Sequence, residues 1–493
     1  MRQLNWTDAA MVRFESPTAP MHVNPIMIYD QSTAPGGRVT FEDILAAIES
    51  RLHLAPAFRQ RLAHAPGGLI APFWVEDDAF DLEYHVRHIA LPKPGDWRQF
   101  CIQVARLHAR PLDLSRPPWE LTVIEGLDHV DGLPKGCFAL SLKVHHSAID
   151  GVEGVALINA IHDLTAEPAA DKHVPKRRPS SDRPSLLTTV RGTAAAAVRW
   201  PVRAGRTLGP VAPRVLRKVG ENLMDRGSAE VAVPQTRFNG VVSSHRVFDA
   251  RFHDFADIRQ IKALVPGATV NDVALAYVGG ALRHYLDHHG ELPETSLIAG
   301  CPVSIRTPEQ AGKGGTMISL MRATLGSDIA DPVERLGAIT AVTSVDRVRR
   351  EAVGAGKLVE VAELLPGALL GLASRASGLM ARAPRLVNTV LTNVPSSRVP
   401  LYFAGAQLVR STGNGPIFPG VGVLHLITTY TGTFSCAVTA DRDMMPDPAF
   451  YAQCMQRSFD ELLASVPRTS RARRRPTSPG DELGPVGGRR GTT

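Results

Sequence analysis

The chain has 493 residues, of which 44% are hydrophobic and 21% charged, a length beyond what one hydrophobic core usually organises, so two domains are expected. Its five cysteines (Cys101, Cys137, Cys301, Cys436 and Cys454) are scattered and form no C-x-x-C pair, which excludes a disulfide framework and a cysteine-based zinc site and fits a reducing, cytosolic setting. The net charge of +7 is uneven: 13 Lys/Arg face 3 Asp/Glu between Lys172 and Arg226, and 7 face 2 after Pro467, leaving the rest of the chain at −8.

Residues Met1 to Asp30 lack the charged stretch and apolar region of a secretory signal, so none is expected. Up to about residue 165 the chain alternates helical runs (Phe41 to Leu52, Arg98 to Ala109, Val152 to Leu164) with strand-like ones (Leu121 to Glu125, Cys137 to Val144). This is mixed α/β, and residues 1–165 are expected to form a first domain. From 166 to 240 prolines (Pro175, Pro179, Pro184, Pro201, Pro210, Pro213), an alanine tract and repeated arginines suggest a basic linker with amphipathic helical pieces. Neither basic segment interleaves aromatics with its arginines, so a nucleic-acid stacking surface is excluded. A solvated segment and attraction to anionic lipid headgroups both remain open.

Residues 241–467 resume the mixed pattern as a second domain. Thr269-Val270-Asn271-Asp272 has the form of a capping box, predicting a helix that runs to His289 and stops at Gly290, with Asn271 in its first turn. Pro302 to Arg306 reads as a strand end. The most apolar stretch, Leu364 to Ala383, is interrupted by Pro366, Arg375 and Arg382, so no transmembrane span is expected. Residues 468–493, rich in Arg, Pro, Gly and Ser, are expected to be disordered.

The candidate site lies in His145-His146-Ser147-Ala148-Ile149-Asp150-Gly151, where the apolar run from Cys137 gives way to a turn. Histidine has the unperturbed pKa best suited to proton transfer near neutrality. Adjacent side chains at a strand end point to opposite faces, so His145 and His146 are poorly placed to share a metal. One is expected to face a cavity and the other to be held in the structure. A His-x-x-x-Asp metal pair lacks a third ligand nearby, so no metal is expected. Asp150-Gly151 also suits a plain turn before a helix. Asp150 could equally tie down the loop through an arginine, for which Arg306 is the candidate.

The heptad matches the HHxxxDG signature of the acyltransferase superfamily that includes chloramphenicol acetyltransferase, carnitine acyltransferases and peptide-synthetase condensation domains. More closely, the chain resembles the bacterial wax ester synthase/diacylglycerol acyltransferase family almost from end to end. The resemblance runs through Thr7-Asp8-Ala9-Ala10, Met21-His22-Val23, Phe58 to Leu62, Trp74 to Asp77, Phe80-Asp81-Leu82, His85-Val86-Arg87 and Pro111 to Glu120. It continues in Asn271-Asp272, Pro302 to Arg306, Thr392 to Pro395 and Asp441-Arg442. It implies two chloramphenicol-acetyltransferase-like domains with the active site in a tunnel between them. It further implies His146 as general base, with His145, Asp150, Gly151 and Asn271 at the site and Trp119, Asn393 and Pro395 as candidate tunnel residues; Asn271 suits a helix cap as well, and Trp119 suits core packing equally. The implied substrates are a long-chain acyl-CoA and either diacylglycerol or a long-chain alcohol, with no further cofactor. The implied location is cytoplasmic, against the plasma membrane's inner face or lipid inclusions. Pro118, Gly314 to Met317 and Ser396-Ser397 depart from the family pattern.

Overall fold

A computed structural model of the chain describes residues 2–64, 71–148, 158, 160–167, 233–304, 318–352 and 386–467. The first half contributes β1 (Arg2–Gln3), α1 (Trp6–Phe14), β2 (His22–Asp30), α2 (Phe41–Glu49), β3 (Gln60–Ala63), β4 (Phe73–Glu76), α3 (Leu82–His85), β5 (Val86–Ala90), α4 (Trp97–His108), β6 (Trp119–Leu127) and β7 (Cys137–His145). The second contributes β8 (Arg246–Asp254), α5 (Phe255–Lys262), α6 (Val270–His288), β9 (Ile298–Ser304), β10 (Ile318–Thr324), α7 (Pro332–Ala352), β11 (Thr389–Pro395) and β12 (Tyr402–Phe403). It ends with β13 (Ala406–Asn414), β14 (Val423–Tyr430), β15 (Thr433–Asp441) and α8 (Pro448–Ala464).

Local chemistry explains the helix starts. Thr40 with Asp43 and Asp96 with Gln99 form capping boxes on α2 and α4, satisfying backbone N–H groups that have no partner within the helix. On α6 the predicted box is present: the Asp272 N–H donates to Thr269 Oγ1 (3.2 Å), and the Thr269 N–H donates back to the Asp272 carboxylate (2.7 Å). That helix ends before Gly290, whose φ of +66° is a left-handed conformation natural to glycine. Most of the helix expected at Val152 to Leu164 and of the linker lies outside the described residues, as do Leu364 to Ala383 and the tail after Pro467.

Two six-stranded mixed sheets carry the fold, in the orders β12-β13-β2-β7-β6-β5 and β10-β9-β11-β14-β15-β8, beside a small sheet β1-β4-β3. The α/β expectation holds. The first large sheet is not built from the first half alone. β12 and β13, inside the 241–467 segment, reach back into it, and β13 pairs antiparallel with β2 from Gln407↔Asp30 to Asn414↔Asn24.

All nine residues of β7 are buried, and the strand's alternation divides them between two cores. Phe138, Leu140, Leu142 and Val144 join Trp119, Leu121 and Val123 in the core of the first half. Cys137 and Ala139 face the other way, into a cluster with Phe100 and Val104 of α4 and with Phe248, Ala250 and Ala437 of the second half. The two halves thus share a core, and Trp97 Nε1 donates across it to Asp249 Oδ1 (2.9 Å). The cysteines are all buried free thiols. Among the described residues, no helix is long and apolar enough to cross a membrane.

Candidate active site

β7 delivers the histidine pair to a fixed place. Its neighbours hold it on both sides: His145 pairs with His22 of β2, and Val144 pairs with Trp119 of β6. The last backbone bonds alternate between these neighbours. The His145 N–H donates to the Pro118 carbonyl (2.9 Å), and the His146 N–H donates to the Met21 carbonyl (2.8 Å). A bond from the Ala148 N–H to the His145 carbonyl (2.9 Å) then closes the turn.

The two imidazoles differ in burial. His145 is fully buried, whereas His146 is half-buried. The His145 Nδ1 accepts the Ser147 N–H (3.1 Å) and lies 2.7 Å from the Ser147 hydroxyl. A backbone N–H only donates, so this bond leaves the proton of a neutral His145 on Nε2. That nitrogen stands 3.5 Å from Glu15 Oε2. The other carboxylate oxygen of Glu15 accepts the Met21 N–H (3.2 Å).

Other polar groups are buried around this strand end. His22 Nε2 donates to the His108 carbonyl (2.8 Å), and His108 Nε2 donates to the Gly415 carbonyl (3.0 Å), linking β2 and α4 to the second half. Burial holds both rings neutral. It puts the His22 pKa well below the ordinary imidazole value, and it lowers that of His108 to about 3, with buried Arg246 adding to the effect. Lys143, two residues before His145, bonds Glu120 (3.1 Å) and the Arg110 carbonyl (3.1 Å), and burial lowers its pKa against the pull of Glu120.

The second half supplies a cavity of about 400 Å³. It forms because β9 and β11 run parallel for only two pairs, Thr389↔Ala299 and Val390↔Gly300, and then splay. Cys301 and Pro302 line one wall, Leu391, Asn393 and Pro395 the other, with Phe255, Val270, Asn271 and Thr429 completing the lining. The α6 capping box aims its first turn into this gap and places Asn271 there. Mostly apolar walls carrying two carboxamides suit a chain with a polar end, such as an ester or a thioester.

Three residues expected at the site, Asn271, Asn393 and Pro395, thus meet in one cavity. His146 is not among the residues lining it. Trp119 lies in the core: it is 2% exposed, donates from Nε1 to the Phe58 carbonyl (3.0 Å) and stacks on His85 at 4.6 Å. It backs the strand that carries the histidines. Asp150, Gly151 and Arg306 lie outside the described residues, as do Gly314 to Met317. Glu15, Cys301, Phe255 and Thr429 were not expected from the sequence. Glu15 sits just past the end of α1, where a glutamate looks like a solvated residue, and nothing local points to a histidine so far along the chain.

The wax ester synthase/diacylglycerol acyltransferase catalytic domain matches residues 4–274, and the WS/DGAT C-terminal domain matches residues 314–463. Two Mycobacterium tuberculosis proteins that carry the name diacylglycerol O-acyltransferase are 30% and 33% identical to it. The matches cover 94% of this chain in both cases, and 90% and 97% of the relatives. The solved wax ester synthase/diacylglycerol acyltransferase of Marinobacter aquaeolei VT8 superposes with a TM-score of 0.69 at 26% identity, covering 94% of this chain and 100% of that one. The first condensation domain of the calcium-dependent antibiotic synthetase shares the fold, with a TM-score of 0.55 at 14% identity over 94% of this chain and 96% of its own. The chain therefore belongs to the wax ester synthase/diacylglycerol acyltransferase family and is an acyltransferase.

Proposed function

We propose that the protein transfers a fatty acyl group from a long-chain acyl-CoA to diacylglycerol, making triacylglycerol, and to a fatty alcohol, making wax ester. The observation that carries this reading is the division of labour at the end of β7. One histidine is locked into the sheet, and its neighbour is half-buried on a turn bonded to two strands. His146 acts as general base: it takes the hydroxyl proton of the acceptor while the alcohol oxygen attacks the thioester carbonyl carbon. The tetrahedral intermediate then collapses, the C–S bond breaks, and the coenzyme A thiolate takes the proton from the imidazolium. No acyl-enzyme forms. A positioned base contributes about 10²- to 10⁴-fold, so much of the remaining acceleration comes from holding two large substrates together and stabilising the oxyanion. Asn271 is the donor assigned to that oxyanion or to the acceptor hydroxyl, and the apolar cavity walls beside it hold hydrocarbon.

Thiol release from palmitoyl-CoA, measured with and without dioleoylglycerol or hexadecanol and followed by separation of the lipid products, tests the reading. Acceptor-dependent release that falls by at least about 10²-fold in His146→Ala supports it. No release with any acceptor would favour a lipid-binding protein that retains the fold.

Such substrates reside in membranes and the products gather in lipid. The basic segment from Lys172 to Arg226 accordingly holds the protein on an anionic membrane or lipid-inclusion surface on the cytoplasmic side. Co-sedimentation with anionic vesicles should fall steeply with salt. Equal binding to neutral vesicles at high salt would sink this part of the proposal.

A further inference from the structure

We infer that Glu15 is a positioning residue for His146, its carboxylate fixing both the tautomer of His145 and the start of β2, and through them the turn that presents His146. The inference rests on the reading of His146 as the base. Its grounds are geometric. One carboxylate oxygen lies 3.5 Å from His145 Nε2, and the other accepts the Met21 N–H at 3.2 Å. The Met21 carbonyl in turn accepts the His146 N–H at 2.8 Å. His145 completes the circuit from the other side, because its Nδ1 accepts the Ser147 N–H within the same turn. Glu15 therefore reaches His146 by two short routes, one on each side of its backbone.

The carboxylate is itself well held. Its side chain is 12% exposed, and the Glu15 N–H caps α1 by donating to the Met11 carbonyl (3.2 Å). The next residues form a tight turn with reciprocal bonds between Ser16 and Ala19 (3.2 and 3.0 Å). Arg246 of β8, buried and 4.0 Å from Asp441, donates to the Thr18 carbonyl (2.5 Å) and ties that turn to the second half.

One carboxylate oxygen accepts the Met21 N–H, and the other sets its charge 3.5 Å from His145 Nε2 without a hydrogen bond to it. His145 carries its proton on Nε2 only while Nδ1 is occupied by the Ser147 N–H, and a carboxylate facing Nε2 favours that form. A glutamine offers one carbonyl oxygen to two donors: with its NH₂ toward Met21 it breaks the bond that holds the start of β2, and with its NH₂ toward His145 it opposes Nε2–H, so that the proton moves to Nδ1, the Ser147 N–H loses its acceptor and the turn relaxes.

Full-length E15Q, E15A and E15D test this. The expected result for E15Q and E15A is a fall in kcat of about 10²-fold, the scale of a small misplacement of a catalytic group. The KM for palmitoyl-CoA should stay within about twofold, because the change acts on the positioned base and not on uniform substrate binding. E15D keeps a carboxylate and should recover part of the rate. Nitrogen NMR of ¹⁵N-histidine-labelled protein, with His145 assigned through His145→Phe, should show an unprotonated Nδ1 in the wild type and a protonated one in E15Q. An unchanged His145 tautomer together with an unchanged kcat in E15Q overturns the inference. A rate loss that merely follows the loss of folded protein, read by thermal unfolding, also overturns it. A wild-type protein that releases no thiol counts against the proposed reaction, and the tautomer measurement then decides the role of Glu15 alone.

Discussion

The two halves of the molecule house their buried imidazoles differently. In the first half, His22, His85 and His108 each spend one ring nitrogen on a backbone carbonyl, and the other is buried without a hydrogen-bond partner among the described residues. In the second half, His425 bonds the Thr389 hydroxyl (3.0 Å) through Nδ1 and the Tyr451 hydroxyl (2.6 Å) through Nε2, and His253 meets the Tyr277 hydroxyl (3.0 Å). A carbonyl can only accept, so it dictates which nitrogen is protonated. A hydroxyl can donate or accept and so leaves the ring its choice. His22, His85 and His108 therefore each leave a buried acceptor unpaired, at about 1–3 kcal/mol, and gain a fixed tautomer close to the strand that presents His146. His425 in the second half has both ring nitrogens paired, as does His162 in the first, which meets the Tyr29 hydroxyl (2.7 Å) and the Ile158 carbonyl (2.6 Å).

The largest test of that contrast is acid. Burial lowers the pKa of His108, His253 and His425 to about 3 and that of His162 to about 4, and it depresses that of His22 as well. An unfolded histidine titrates near 6.5, so below that pH the unfolded chain binds more protons than the folded one. The stabilisation is fully present above about pH 6.5 and is lost as pH falls toward 4, at about 1.4 kcal/mol per pH unit for each such ring. Denaturant midpoints measured between pH 7.5 and 4.5 should fall steadily. A flat profile over that range would show that these rings are not held neutral.

A smaller effect separates the two halves directly. His425→Phe removes a ring bonded on both sides and leaves the buried Tyr451 hydroxyl without its partner, while the Thr389 hydroxyl keeps its bond to the Val423 carbonyl (3.1 Å), so it should cost about 2–3 kcal/mol in chemical denaturation. His85→Phe is the smallest of the three. It loses a single bond to the Trp119 carbonyl (2.8 Å) but also removes an unpaired nitrogen, and it keeps an aromatic ring against Trp119. It should cost less than about 1 kcal/mol. Equal costs for the two variants would break the comparison.

Where structure follows from neighbours in sequence, it was legible. The run from Cys137 to Val144 gave away β7. Thr269, Asp272 and Gly290 marked both ends of α6, because caps and left-handed stops are made by the residues that occupy them. What stayed hidden depends on partners distant in sequence. Nothing in Ala406–Asn414 says that it will pair with β2 and not with a neighbour in the second half. The splaying of β9 from β11 has no local signature, so Asn271 and Asn393 were found through the family resemblance and not through the cavity they share. Glu15 was missed for the same reason: its meaning comes from His145, which only the sheet brings near.

The return of β13 to the first sheet bears on how the protein is made. Thr33 accepts a backbone N–H from Gln407, 374 positions further on, and the whole outer edge of β2 waits for a strand from that part of the chain. While the ribosome is still working through the intervening residues, the nascent first half carries an unpaired, apolar edge in Ile26, Met27 and Ile28, the kind that templates aggregation. The sheet that presents His146 is complete only once the residues up to Asn414 have emerged. A shortened chain that kept every residue of the histidine motif would still lack the scaffold that aims it.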